Sequence, residues 1–204
     1  MECNIIVAGV GGQGSILASH IIAEAAILQH GDKYHARVGE TFGAAQRGGA
    51  VSSHVRIGEE VYGPLLGAGT AQLLLAMEPA EALRVGVSYL APDGLVILNP
   101  GKQIPVDVKV GAVEYPEVDD IVAALEKIGK KVVVIDGAEL AEQAGSPKVL
   151  SIVMLGAAVA SGKIPVDAET MLQAVLNKVP KKTVDMNAEA FKLGQEAYLS
   201  AIAE

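Results

Sequence analysis

Two short segments combine glycines with groups able to hold an anion. Gly9-Val10-Gly11-Gly12-Gln13-Gly14 fits G-x-G-x-x-G through Gly9, Gly11 and Gly14, after a β-branched run and before a helical pattern. Such a loop brings backbone N–H groups to the positive end of a helix, where negative charge is favoured. The second segment, Gly43-Ala44-Ala45-Gln46-Arg47-Gly48-Gly49-Ala50, sets one guanidinium among residues with almost no side chain. Small neighbours admit another chain or a flat ligand, and Arg47 supplies a planar fork of donors. Bidentate recognition of a carboxylate or phosphate is one reading of Arg47; pairing with Glu40 or with helix-end carbonyls is the other.

Other chemistries are poorly supplied. A dinucleotide site wants an acidic residue at the end of its second strand, about 20 residues on, to hold the ribose, but Asp32 falls before that strand and Glu40 comes late. The glycine loop therefore leaves three readings open: NAD or FAD binding, a structural turn, and contact with a different anion or a protein. Gly156 to Lys163 fails as a phosphate loop, because Ile164 stands where a Ser or Thr should meet magnesium. Cys3 is the only cysteine, so the chain can form neither an internal disulfide nor a four-thiolate iron–sulfur cluster. No Ser/His/Asp order and no His or Cys pair at ligand spacing gives a nucleophile or metal site. His54 and Arg56, two apart on a predicted strand, are candidates for binding, although a strand histidine is by default a satisfied one.

Charge narrows the ligand class. The chain carries 16 Lys+Arg against 24 Asp+Glu, a net charge of −8, which argues against a broad nucleic-acid or anionic-membrane surface. Aromatic residues make up only 3%, too few for base-stacking platforms. Yet Lys33, Arg37, Arg47 and Arg56 lie in one stretch against Glu40 alone, a local cationic segment in an acidic chain. No N-terminal signal pattern or membrane-length apolar run is visible, so a cytoplasmic protein is expected.

The elements that would position these groups follow from apolar periodicity. Strands are predicted over 4–8, 34–38, 51–57, 71–76, 94–98, 106–113 and 131–135. Helices are predicted over 15–29, 79–90 and 118–128, with a helical turn at 41–47 closing at Gly48 and a hairpin turn at Gly58-Glu59-Glu60 leading into Val61-Tyr62. After Gly137 the pattern is helical: Ser146-Pro147 opens one helix, Gly162 closes it, Asp167 opens the next, Pro180 stops it, and a last helix runs over 187–203. Strands alternating with helices predict an α/β fold of three layers, α/β/α, with a Rossmann-like, mainly parallel sheet and a helical C-terminal part. At 204 residues, 50% of them hydrophobic, and with no evident linker or repeat, a single domain over 1–204 is expected.

Taken together, GVGGQG at 9–14, AQRGGAVSSHVR at 45–56, EEVYGPLL at 59–66, MEPAEALR at 77–84 and NAEAFKLG at 187–194 resemble the gamma-type subunit of the 2-oxoacid:ferredoxin oxidoreductases. The wording of the Gln46-Arg47-Gly48-Gly49 and MEPAEALR segments is closest to the small (beta) subunit of the indolepyruvate type. The resemblance implies an enzyme complex that decarboxylates a 2-oxoacid on thiamine diphosphate, passes two electrons through iron–sulfur clusters to ferredoxin, and transfers the acyl group to coenzyme A. It implies also that thiamine diphosphate and the clusters are carried by other subunits, so that this chain binds no cofactor alone and is inactive alone. Aryl-pyruvates are the favoured substrates, with 2-oxoglutarate or pyruvate as the alternative. A free-standing NAD- or FAD-binding Rossmann protein is the competing class.

On this resemblance Gly11, Gly12, Gln13 and Gly14, with Gln46, Arg47, Gly48 and Gly49, form one face that docks on the thiamine-bearing subunit near its active site. Arg47, with Arg56 or His54, would there meet a coenzyme A phosphate or a partner carboxylate. Ferredoxin is reached through the complex, and an isolated chain, its docking surface uncovered, is expected to self-associate.

Overall fold

The structure is a computed structural model that describes residues 2–43, 49–104 and 114–203. Its core element is β1 (Glu2–Val10), the strand that carries the glycine turn at its end. Ile5, Ile6 and Val7 are each wholly buried, which for side chains of this size is worth about 1.5–3 kcal/mol apiece. Alternation sends Ile5 and Val7 to one face of the sheet and Ile6 and Ala8 to the other, and both faces are covered. A strand buried on both sides must read as a continuous apolar run, as this one does.

The chain continues through α1 (Ser15–His30), β2 (His35–Phe42), β3 (Ala50–Gly58), β4 (Ala71–Ala76), α2 (Pro79–Tyr89), β5 (Leu90–Leu98), α3 (Val118–Glu126) and β6 (Lys131–Val134). It ends in α4 (Gly137–Gln143), α5 (Leu150–Ala160), α6 (Ala168–Lys178) and α7 (Val184–Ala203). The six strands form one sheet in the order β2-β3-β1-β4-β5-β6. β1, β4, β5 and β6 run parallel, whereas β3 is antiparallel to both β1 and β2. α1 and α4 to α7 pack on the face of Ile5 and Val7; α2 and α3 pack on the face of Ile6 and Ala8, giving three layers.

Local chemistry explains where three of the helices begin. The side chains of Glu78, Asp136 and Asp167 each accept a hydrogen bond from the backbone N–H three residues on, at 2.9, 3.0 and 2.7 Å. Pro79 follows the first of them at the start of the helix, where its missing N–H costs nothing. Late in the chain, α5 and α7 cross backbone to backbone at Gly156 and Gly194: a Cβ on Gly156 would overlap the Phe191 carbonyl oxygen, and one on Gly194 the Val153 carbonyl oxygen.

Three sequence expectations change. Thr41 and Phe42 are not helical but continue β2, opposite Ser52 and Val51; the remainder of the expected turn, 44–47, lies outside the described residues. Val61-Tyr62 does not form the second strand of a hairpin after Gly58. The connection instead folds back over β2 and β3, with Pro64 and Leu65 against Gly39, a position where any Cβ would come within 3.0 Å of Pro64. The expected strand over 106–113 lies outside the described residues. β5 starts at Leu90, earlier than expected, through an irregular register between Ala71 and Leu73.

Candidate functional site

The parallel strands β1, β4 and β5 all point toward one edge of the sheet, the edge where open α/β sheets hold their ligands. β1 delivers the glycine turn there. Gly12 and Gly14 have φ of 108° and 84°, conformations in which a side chain is strained. Gly9 is needed for a different reason: a Cβ would lie 2.7 Å from Ser15 Oγ and 2.8 Å from Gln13 Oε1. A Cβ on Gly14 would come within 2.5 Å of Ser151 Oγ and 2.9 Å of Ser151 Cβ, so this glycine also sets how closely α1 approaches α5.

The turn is joined to the second glycine segment. Gly11 N–H donates to the Gly49 carbonyl at 2.9 Å, and Gly43 N–H donates to the Ala50 carbonyl at 2.7 Å. The connection between β2 and β3 thus leaves and re-enters the sheet beside the glycine turn. Gln46, Arg47 and Gly48, which belong to that connection, lie outside the described residues. α1 opens at this place with no side-chain cap and no acidic residue in its first turn, so its own first turn does nothing to offset its positive end. A groove of about 580 Å³, lined by Gly11, Gly12, Ile16, Leu17, Val51 and Lys178 among others, runs along it. Ile16 and Leu17 are more than a third exposed and Phe42, opposite Val51 in the strand pair, is 62% exposed, so the rim of the site is apolar.

Gln13 faces inward. Its Oε1 accepts from Val10 N–H at 2.9 Å and its Nε2 donates to the Met77 carbonyl at 3.2 Å, which engages both ends of the amide within the chain. Arg56 and His54 stand apart from the glycine face. Arg56 lies six residues along β3 from Ala50, roughly 20 Å away at strand rise. Its guanidinium donates to Glu2 Oε1 at 2.6 Å, to Asn4 Oδ1 at 3.2 Å and to the Gly63 carbonyl at 2.8 Å. His54 is buried on the α2 side of the sheet, where Nδ1 accepts from Leu66 N–H at 3.2 Å and the ring meets Tyr89 edge-on at 4.9 Å. That bond puts the neutral ring's proton on Nε2, which has no hydrogen-bond partner among the described residues, and burial pushes the pKa below the usual histidine value. Both residues hold the Val61–Leu66 connection onto the sheet, and neither adds to an anion site beside the glycine turn.

Sequence reasoning passed over the buried polar residues beneath this edge. Asn99, at the end of β5, donates from Nδ2 to the same Met77 carbonyl at 2.9 Å and accepts at Oδ1 from Ala138 N–H at 3.2 Å. Glu78 is almost wholly buried; its carboxylate accepts from Glu81 N–H, from Gln103 N–H at 3.3 Å and from the Tyr115 hydroxyl. Burial and this carboxylate raise the Tyr115 pKa. The signal was present in Met77-Glu78-Pro79, an acidic residue directly before a first-turn proline.

At the opposite edge, a cavity of about 300 Å³ lies beside Cys3 and Gln72. Burial pushes the Cys3 thiol up to about 12, and its S–H is directed at the Lys163 carbonyl 3.3 Å away, so it is neither a nucleophile nor a ligand at neutral pH. Among the described residues no cluster of three His, Cys, Asp or Glu side chains could hold a metal ion, and no helix is long and apolar enough to cross a membrane.

The strand arrangement also bears on the dinucleotide reading. In a dinucleotide fold the ribose-binding acid ends a second strand parallel to and beside the first; here the strand after α1 is antiparallel to β3 and two positions from β1. Comparison with known proteins points elsewhere. The indolepyruvate oxidoreductase subunit IorB of Archaeoglobus fulgidus is 41% identical over 98% of this chain and 97% of its own length. The 2-oxoglutarate synthase subunit KorC of Methanocaldococcus jannaschii is 33% identical over 96% of this chain and 94% of its own. The crystal structure of a keto/oxoacid ferredoxin oxidoreductase gamma subunit from Geobacter sulfurreducens superposes with a TM-score of 0.70 at 30% identity, covering 98% of this chain and 99% of that one. Residues 4–197 match the model of one family along nearly the whole fold, and the chain belongs to that family, pyruvate ferredoxin/flavodoxin oxidoreductase.

Proposed function

We propose that this chain is the small subunit of a cytoplasmic 2-oxoacid:ferredoxin oxidoreductase, and that the face carrying Gly11, Gly12 and Gly49 docks on a partner subunit beside its thiamine diphosphate. The observation that carries the reading is the 2.9 Å hydrogen bond from Gly11 to Gly49, which joins two glycine segments 38 positions apart into one surface. An apolar rim of Ile16, Leu17 and Phe42 around a groove suits a protein contact better than a solvent-facing loop, and the same rim favours self-association of the isolated chain.

The complex would oxidise a 2-oxoacid with coenzyme A to carbon dioxide and acyl-coenzyme A, two electrons passing to ferredoxin. Thiamine diphosphate supplies the carbanion chemistry and iron–sulfur clusters the electron path, both in partner chains; a chain whose single cysteine is buried cannot ligate a cluster by four thiolates. This chain shields the reaction from water and places Arg47 at the junction, facing a coenzyme A phosphate or a partner carboxylate. Aryl-pyruvates are the substrate class, supported by the higher identity to the indolepyruvate subunit than to the 2-oxoglutarate one.

The test is Arg47→Ala in the co-expressed, assembled enzyme. Loss of one charge-assisted bidentate contact should raise the coenzyme A KM or the subunit dissociation constant at least tenfold, following the usual 1.5–3 kcal/mol for hydrogen bonds to charged groups. Unchanged kinetics together with unchanged assembly refutes it. Turnover of indolepyruvate against 2-oxoglutarate by the same preparation decides the substrate class.

A further inference from the structure

The turn between β4 and α2 gathers the connections at the candidate edge. Met77 N–H donates to the Ala8 carbonyl at 2.8 Å, inside β1. The Met77 carbonyl accepts twice, from Gln13 Nε2 at 3.2 Å and from Asn99 Nδ2 at 2.9 Å. Each of these amides turns its oxygen to a further backbone N–H: Gln13 to Val10 at the end of β1, Asn99 to Ala138 at the start of α4. One carbonyl therefore ties the glycine turn, the end of β5 and the first turn of α4 together, with donor and acceptor ends fixed. A carboxylate in place of either amide would aim a lone pair at the Met77 oxygen, and an apolar side chain would drop both bonds.

We infer that Gln13 and Asn99 are positioning residues that act through the shared Met77 carbonyl to hold the glycine face in docking register. The inference rests on the docking reading above. Gln13 directs its amide into its own chain, where it sets how Gly11 and Gly12 stand relative to β4 and β5. A shift of about 1 Å at such a face is enough to cost an order of magnitude or more in a reaction that depends on it.

The experiment uses the assembled enzyme with Gln13→Glu, Asn99→Asp and the double variant, each also purified as the isolated chain for thermal unfolding. Gln13→Met and Asn99→Ser replace any carboxylate variant that does not fold. The expected result is a rise of about tenfold in the coenzyme A KM or in the subunit dissociation constant for each single variant, with kcat at saturation within about twofold. The double variant should show less than the product of the two single effects, because both act on one oxygen. Variants that lower the unfolding temperature and leave KM and assembly untouched overturn the inference, as do effects that multiply in full. Arg47→Ala, run alongside, separates the causes. If it alone has an effect, the positioning role fails while docking stands; if none of the variants has an effect, both fall.

Discussion

Gly14 combines a backbone requirement with a steric one, and Gly12, two residues away, is its internal control. Both have positive φ, so an alanine at either carries the left-handed penalty of about 1–2 kcal/mol. At Gly12 that is the whole cost from the described residues, since none of them lies within 4 Å of the added Cβ. At Gly14 the added Cβ meets Ser151 on α5, with 2.5 Å to Oγ and 2.9 Å to Cβ. Rotating the hydroxyl relieves the first contact but not the second, so α1 and α5 must move apart. Overpacking of this kind costs about 1–3 kcal/mol, bringing Gly14→Ala to about 2–5 kcal/mol against about 1–2 kcal/mol for Gly12→Ala. Ser151→Gly removes both offending atoms at about 1 kcal/mol for glycine within a helix. In urea unfolding of the isolated chain, Gly14→Ala combined with Ser151→Gly should therefore be more stable than the sum of the single effects by about 1–3 kcal/mol. Additive single effects, or a Gly14→Ala no worse than Gly12→Ala, would refute the steric argument.

Gly156→Ala tests the crossing of α5 and α7 by the sign of its effect: helix propensity alone predicts a gain of about 1 kcal/mol. A methyl driven into the α7 backbone at Phe191 predicts a loss of about 3 kcal/mol, read from the urea midpoint, and a raised midpoint would rule the close crossing out. His54 gives a pH test, because burial holds its folded pKa below the ordinary 6.5. Above 6.5 both states are neutral and the residue adds no pH dependence; as pH falls through 6.5 toward the folded pKa, the unfolded chain binds a proton the folded one refuses, and stability drops. His54→Gln should flatten that acid-side loss in unfolding measured from pH 8 to 5, and an unaltered slope would contradict it.

Much of this fold can be read from β1, where four consecutive apolar residues demand cover on both faces, and from Glu78, Asp136 and Asp167, whose positions fix where helices start. The antiparallel direction of β3 could not be read. Alternation along β2 and β3 is the same whether a neighbour runs parallel or antiparallel, and Thr41-Phe42 was misjudged because its strand partners, Ser52 and Val51, lie some ten residues on. Arg56 and His54 looked functional for a related reason. A polar residue on a strand advertises a need for partners, but Gly63 and Leu66 are supplied by a connection whose path only the folded chain defines. Asn99 was overlooked for the converse reason, as one polar residue ending an apolar run, with its two partners 22 and 39 positions away.

The glycine signature shows how far a motif constrains function. Gly9 clears Ser15 and Gln13, Gly12 supplies a backbone angle, and Gly14 supplies both an angle and the approach of α1 to α5. Each requirement belongs to a strand turning tightly into a packed helix, and none needs a nucleotide. What a dinucleotide would add is an acid at the end of a parallel neighbouring strand, and that position beside β1 is taken by the antiparallel β3. β3 instead begins at Ala50, directly after Gly49, whose carbonyl accepts from Gly11 N–H in the glycine turn. The same insertion that removes the ribose partner thus builds the surface on which docking is proposed, so the two readings of the motif are separated by strand topology rather than by the glycines.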